Sequence, residues 1–426
     1  MKKIINKNGV TPSQSLSRGE PQPDQIKRSV LGRRSFLKGL GATGAMLLPA
    51  SALLATRAQA AAGDDSGGKL TKGDASILRF LCAAEILESD LWEQYWELAN
   101  GNLDFASHNP QPGTTLTATG GNKAYHDALQ ILDTDMPTYV LDNTDDEFSH
   151  ANFLLAYLKS KGANTADIDL LVGSHFRTLT TQNGLKNGIP ISSQATGSTK
   201  KPRLTNLTQL TFDTSYIGRY RTDNANPDLG GTNFANPVPT LNVGMHTAIP
   251  RTDDDTTSQN GNLINAIAFT AGFHFGFIEV GGTSLYPALA QRIHDPEVLR
   301  IALSIGPTET MHFQIWQEKA VGANAGNSTP FTVTDSINNS MVKFKDLLTG
   351  DGDQEDLQAN LIMPEPCPFL STSFPICSIV RPTETKGFAT GVVKGLTATG
   401  LFMGQTPEFM ELLADLATDA DQARRV

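Results

Sequence analysis

The chain has 426 residues, a formal net charge of −10 and only 7% aromatic residues. An acidic, aromatic-poor chain lacks the basic surface that nucleic acid or an anionic bilayer attracts, so neither is an expected partner. Three cysteines without a Cys-x-x-Cys pair exclude zinc-ribbon and thioredoxin-type chemistry.

Residues 1–60 read as an export signal. Arg33-Arg34-Ser35-Phe36-Leu37-Lys38 has the twin-arginine pattern, an apolar run extends from about Gly39 to Leu54, and Ala58-Gln59-Ala60 suits a signal peptidase. The run is too short and too Gly-rich for a membrane span. The expected location is therefore periplasmic or extracellular, reached by the twin-arginine route, which carries proteins already folded. Removing residues 1–60 takes ten of the 34 basic and two of the 44 acidic side chains, leaving −18. No later apolar run reaches spanning length, so the mature chain is expected to be soluble. Cys367 and Cys377 bracket the loop CPFLSTSFPIC, where an oxidising compartment allows either a disulfide or two free thiols. Cys82, in an apolar helix, reads as a buried, unreactive thiol.

A first helix is predicted near residues 74–100, with Asp74 before it and Gly101 after it. Its stripe carries Leu81, Ala84, Glu85, Glu88, Leu91, Trp92 and Tyr95. After a Gly/Thr/Asn-rich stretch to about Asn122, a second helix near 136–161 puts Val140, Asn143, Glu147, His150 and Leu154 on one face; Gly162 ends it. Residues 163–262 are rich in Thr, Asn, Gly and Pro, with strand-like pieces such as 207–221, and read as a long irregular crossover.

The third helix, near 263–292, aligns Gly272, Phe275, Gly276, Glu279, Thr283 and Tyr286. The fourth, near 296–321, opens with Asp295 as N-cap and Pro296 at the first helical position, and aligns Ala302, Gly306, Glu309, His312, Phe313 and Trp316. Pro307 removes one helix hydrogen bond beside Glu309, which either weakens that turn or makes a bulge that aims the carboxylate. Residues 326–426 read as an irregular C-terminal extension with one amphipathic helix starting at Pro407. The acidic runs 253–255 and 351–355 invite a calcium reading, but the second lacks the Gly and Glu a calcium loop needs. Both read as solvated loops.

The informative motif is Glu-x-x-His, present as Glu147-Phe148-Ser149-His150 and Glu309-Thr310-Met311-His312. With 15 Glu and 8 His in the chain, about 0.3 such motifs would arise by chance. Residues three apart on a helix share a face, so each pair offers a carboxylate and an imidazole to one point. The first and third helices each add a carboxylate: Glu279 from the third, and from the first Glu85 or Glu88. Glu85 is preferred because Trp92 follows it by seven residues, as Tyr286 follows Glu279. From Glu279 to Gln291 is 12 residues and from Pro296 to Glu309 is 13. Both arms then run about 18–20 Å, which sets the two carboxylates level in an antiparallel hairpin.

The expected ligand set is Glu85, Glu147, His150, Glu279, Glu309 and His312: four carboxylates and two imidazoles, as in di-iron and di-manganese ferritin-like bundles. Two divalent cations cancel the four charges that burial would otherwise make costly. Oxygen-rich ligation without thiolate suits iron or manganese. His150 is assigned to one metal and His312 to the other, with Glu147 and Glu309 bridging and Glu85 and Glu279 terminal. Trp92, Tyr95, Tyr286 and Trp316 flank the site, either as ordinary core aromatics or, for Tyr286, as a redox neighbour. Gly272, Gly276, Gly281 and Gly282 either open a path for a small oxidant or serve tight helix packing. The other six His are expected to be surface or core residues.

The fold class is thus mainly α: a ferritin-like four-helix bundle over 61–325, with one long crossover between the second and third helices. The segments DDEFSHANFLLAYLKSKGA, FHFGFIEVGGTSLYPALA and HDPEVLRIALSIGPTETMHFQIWQEKAVGA resemble the twin-arginine-exported ferritin-like domain proteins, relatives of the plant desiccation-related proteins. The resemblance implies the same bundle and a di-metal centre, and it implies no defined reaction. The leading expectation is an exported di-metal protein acting on O₂ or peroxide. The alternative from another class is a non-catalytic stress or envelope scaffold without a functional metal.

Overall fold

The computed structural model describes residues 69–100, 121–180, 185–186, 188–211, 245–257, 263–320, 332–334, 339, 341–344 and 387–424. All of these belong to one compact unit, Asp64–Leu103 with Thr114–Val426. The second unit, Met1–Gly63 with Asp104–Gly113, lies outside the described residues, and so do the expected export signal, Cys367, Cys377 and the acidic run 351–355.

The described chain is mainly helical. Eight α-helices are present among the described residues: α1 Lys72–Asn100, α2 Lys123–Leu132, α3 Met136–Ser160, α4 Ala166–Val172, α5 Leu263–Ala290, α6 Pro296–Ala320, α7 Phe388–Ala398 and α8 Pro407–Gln422. The four long ones, α1, α3, α5 and α6, lie within two residues of the spans read from the sequence. They pack mainly as two pairs, α1 against α3 and α5 against α6, with α2 on α5 and α8 on α1. Strands are confined to two- and three-residue antiparallel pairs: β1 Leu185–Lys186 with β2 Ile189–Pro190, β3 Leu210–Thr211 with β4 Met245–His246, and β5 Thr332–Thr334 with β6 Met341–Lys343. Gly188, at φ +82°, takes the left-handed conformation that the tight β1–β2 turn demands.

Local chemistry sets the helix ends. Asp295 Oδ1 accepts from the Glu297 and Val298 N–H groups at 2.7 and 3.4 Å, and Pro296 opens α6. Thr406 caps α8 in the same way, through the Phe409 N–H. At α1 the structure places Asp74 inside the first turn, not before the helix, and Thr71 Oγ1 accepts its N–H at 3.0 Å. Asp74 instead reaches across to the His294 and Asp295 N–H groups at 2.9 and 3.1 Å, tying α1 to the α5–α6 turn. That long-range use is invisible in a local pattern.

Carboxylates on another face of α1 anchor part of the crossover. Asp90 accepts from Arg177 Nη1 at 2.6 Å and from the Leu204 and Thr205 N–H groups, both at 3.0 Å. Arg203 binds Glu93 at 2.6 Å and Glu97 at 2.5 Å. The crossover is therefore strapped to α1 by buried and half-buried acids paired with arginines.

Three expectations need correction here. The run Asp253–Asp255 forms a short 3₁₀ turn in which Asp255 is buried against Arg251, so it is only partly a solvated loop. The C-terminal extension carries a second helix, α7, seated on α8. Finally, α5 is long and apolar enough to cross a membrane by length and composition, contrary to the expectation that no later run would be. Its most apolar window is 83% buried inside the protein, so the hydropathy is that of a core helix.

Candidate metal centre

Each long helix delivers acidic or imidazole side chains to one interior point. The structure brings together all six residues singled out by the motif reading. Glu85, Glu147, His150 and Glu309 offer ligand atoms within 4.8 Å of one another, and so do Glu147, Glu279, Glu309 and His312. Glu147 and Glu309 belong to both groups, so the two groups overlap along their shared carboxylates. Glu147, Glu279 and Glu309 are fully buried, and Glu85 is 2% exposed.

Both imidazoles turn Nδ1 inward. His150 Nδ1 lies 3.1 Å from Glu147, 3.5 Å from Glu85 and 3.5 Å from Glu309. His312 Nδ1 lies 3.1 Å from Glu147 and 3.2 Å from Glu279. Their Nε2 atoms face outward, to Thr308 Oγ1 at 3.3 Å for His150 and to Asp146 Oδ2 at 3.1 Å for His312. An outer partner of this kind fixes the ring orientation and the tautomer of an imidazole whose inner nitrogen binds a cation.

A layer of neutral donors holds the carboxylates. Asn143 Nδ2 donates to Glu147 Oε1 and to Glu279 Oε1, both at 2.9 Å, while Trp316 Nε1 donates to Asn143 Oδ1 at 2.8 Å. Tyr286 O–H donates to Glu85 Oε1. Glu309 is different: neither of its oxygens has a hydrogen-bond donor, and Glu85 Oε2 has none. Buried carboxylate oxygens without donors are rare and costly.

The electrostatics differ from those of the buried acids Asp90, Glu97 and Asp255, each of which meets an arginine. Among the described residues, the ion pairs of Glu85, Glu147, Glu279 and Glu309 are with the two histidines alone. Four acids against two imidazoles leave a net deficit of positive charge even when both rings are protonated. Burial pushes the Glu85 carboxyl up from 4.5 to about 7, and burial together with the neighbouring carboxylates holds Glu309 well above its ordinary range. Burial works against a charged ring at His150, but the Glu147 hydrogen bond and the charges of Glu85 and Glu147 outweigh it and raise the imidazole from 6.5 to about 10. His312 is raised further, chiefly by Glu279, with Asp146 and Glu147 adding to it.

Gly282 makes room for this arrangement. A Cβ there would meet Glu309 Oε2 at 2.1 Å. A Cβ on Gly272 would meet Leu132 Cδ1 at 2.6 Å. These two glycines serve close packing. Pro307 neither ends nor bulges α6, which runs through it as an α-helix and carries Glu309 and His312 on one face.

Glu88 stands outside both four-residue groups. Its Oε1 is buried and undonated, and burial with the charges of Glu147, Glu279 and Glu85 holds its carboxyl well above the usual range. Asn143, Asp146 and Thr308 were not assigned roles by the motif reading. Of these only Asn143 carried a signal, its place four residues before Glu147 on the same face.

The donor set passes the test for a cation: two overlapping groups of oxygen and Nδ1 atoms, undonated buried carboxylate oxygens, and, among the described residues, no lysine or arginine taking the charge. These Glu and His residues could hold a metal ion. The chain matches no protein-family model, no curated protein and no solved structure.

Proposed function

We propose that the chain is an exported ferritin-like protein whose four long helices hold two iron or two manganese ions, and that the centre reacts with O₂ or peroxide. The observation that carries this reading is the pair of overlapping four-residue groups sharing Glu147 and Glu309. Glu85 and His150 would hold one ion, Glu279 and His312 the other, with Glu147 and Glu309 common to both. Iron or manganese supplies one-electron redox exchange with a small oxidant, and a purely oxygen and imidazole donor set favours those metals over thiophilic ones.

The chain's own residues do the rest. Asn143 keeps Glu147 and Glu279 at a fixed spacing, and Tyr286 holds Glu85. Asp146 and Thr308 orient the two rings. The near-complete burial of the four carboxylates excludes bulk water. The twin-arginine pattern and the segment resemblance described above support export and membership of the exported ferritin-like proteins.

Elemental analysis of protein taken from the export compartment tests this reading. The expected result is two transition-metal ions per chain, with occupancy lowered in His150→Ala and His312→Ala. Native protein that is metal-free, and that melts no higher when Fe(II) or Mn(II) is added, would replace the reading with the scaffold function.

A further inference from the structure

A line of redox-active side chains leads away from the carboxylate cluster. It starts at Asn143, which donates to Glu147 and Glu279 and accepts from Trp316 Nε1 at 2.8 Å. Trp316 stacks on Trp92 with ring centroids 5.4 Å apart and planes at 25°. Trp92 meets Tyr95 edge-on at 5.7 Å, and the Tyr95 hydroxyl lies 2.6 Å from His274 Nδ1. Rings at such spacings are in van der Waals contact. All four side chains are at most 2% exposed. Phe275, which is not readily oxidised, touches Trp92, Tyr95 and Trp316 at 4.8, 4.7 and 4.7 Å and keeps water from the path.

We propose that Trp316, Trp92 and the Tyr95–His274 pair form an electron path that feeds the carboxylate centre and leaves the oxidising equivalent on Tyr95. The proposal rests on the metal reading above. The oxidant is the O₂- or peroxide-oxidised centre. Trp316 would give one electron to it, Trp316 would be refilled from Trp92, and Trp92 from Tyr95. As Tyr95 loses its electron, its hydroxyl proton crosses to His274 Nδ1, giving a neutral phenoxyl radical and an imidazolium. No other atom moves, and charge balances: one electron reaches the centre and one proton stays on His274.

Two features favour Tyr95 as the end of the path. A buried phenol whose burial keeps it from ionising can be oxidised only if its proton has an acceptor, and His274 Nδ1 is in place. Tyr95 also stands ten residues beyond Glu85 on α1, about 15 Å along the helix, so the radical is separated from the reacting ions.

The test uses the full chain, loaded anaerobically with Fe(II), mixed with O₂ or peroxide, and frozen at successive times for electron paramagnetic resonance. Iron uptake and Fe(II) oxidation are measured on the same samples. The expected result is a tyrosyl radical that is lost in Tyr95→Phe, a substitution that removes one hydroxyl and leaves the packing intact. Trp92→Phe should reduce the radical yield to a small fraction while iron uptake stays unchanged, since neither residue belongs to the proposed ligand set. His274→Gln should slow radical formation and abolish its sensitivity to deuterated solvent. A radical that persists undiminished in Tyr95→Phe, as one on Tyr286 would, overturns the proposal. So does the absence of any protein radical in a chain that binds and oxidises Fe(II). A chain that takes up no iron fails at the earlier step, and the uptake measurement separates that failure from the other two.

Discussion

Glu85→Gln probes the balance at the centre, because the substitution keeps the shape and removes one buried charge. In the metal-free protein, burial moves the Glu85 carboxyl from 4.5 to about 7. Between those values the folded chain binds more protons than the unfolded one, so stability falls as pH rises through that window. Below about 4.5 the penalty is absent; above 7 it amounts to about 3 kcal/mol for this residue. Glutamine has no such penalty, and its amide oxygen can still accept from Tyr286. His150 loses one carboxylate at 3.5 Å but retains Glu147 at 3.1 Å and Glu309 at 3.5 Å. The net gain for the metal-free variant should therefore be about 1–3 kcal/mol near pH 8 and close to zero near pH 4.5. Loading reverses the order. A metal bound by the wild type at 100 times its Kd adds about 2.7 kcal/mol, and the variant, short of one ligand, should gain much less. Urea unfolding followed by circular dichroism, at several pH values with chelator or with excess Mn(II), measures both effects. A variant that is destabilised equally at every pH in chelator, or whose rank is unchanged by metal, would refute the reasoning.

Asp146→Asn removes the carboxylate behind His312 Nε2 and should weaken metal binding about 10- to 100-fold. Its side chain is 56% exposed, so the urea midpoint of the metal-free protein should hardly move; titration calorimetry checks the first effect. Gly282→Ala pushes a methyl into Glu309 and should cost about 1–3 kcal/mol of stability together with most of the metal occupancy. Thermal unfolding and elemental analysis read the two losses, and full occupancy in the variant would refute the packing role assigned to Gly282. Replacing Arg33 and Arg34 with lysine should stop export, and cell fractionation that finds undiminished export would remove the twin-arginine reading.

Much of the candidate centre was legible in the sequence, because its core is local. Glu147 with His150, and Glu309 with His312, need only a helix to face one way, and the helical segments carry strong apolar periodicity. The near-equal arms from Glu279 and Glu309 to their connecting turn were also countable, since rise per residue is constant. The helix α7 was not legible. Gly391 and Gly395 lower its intrinsic propensity, and burial of Phe388, Ala389, Val392 and Val393 compensates for that only in the assembled fold.

What only the tertiary structure decided concerns contacts between helices distant in sequence. Glu85 and Glu88 share one stripe of α1, and only the positions of α3, α5 and α6 place Glu85 within the ligand-atom groups and Glu88 beside them. Asn143 is an unremarkable polar residue until Trp316 arrives from α6 and Glu279 from α5. Asp74 has the composition of a helix cap, yet the α5–α6 turn offers it two N–H groups and draws it away. Gly282 matters because Glu309 fills the space its missing Cβ leaves. Periodicity along one chain dictates which face a side chain occupies; which partner it meets there depends on how the helices pack, and a buried charge is settled by that partner.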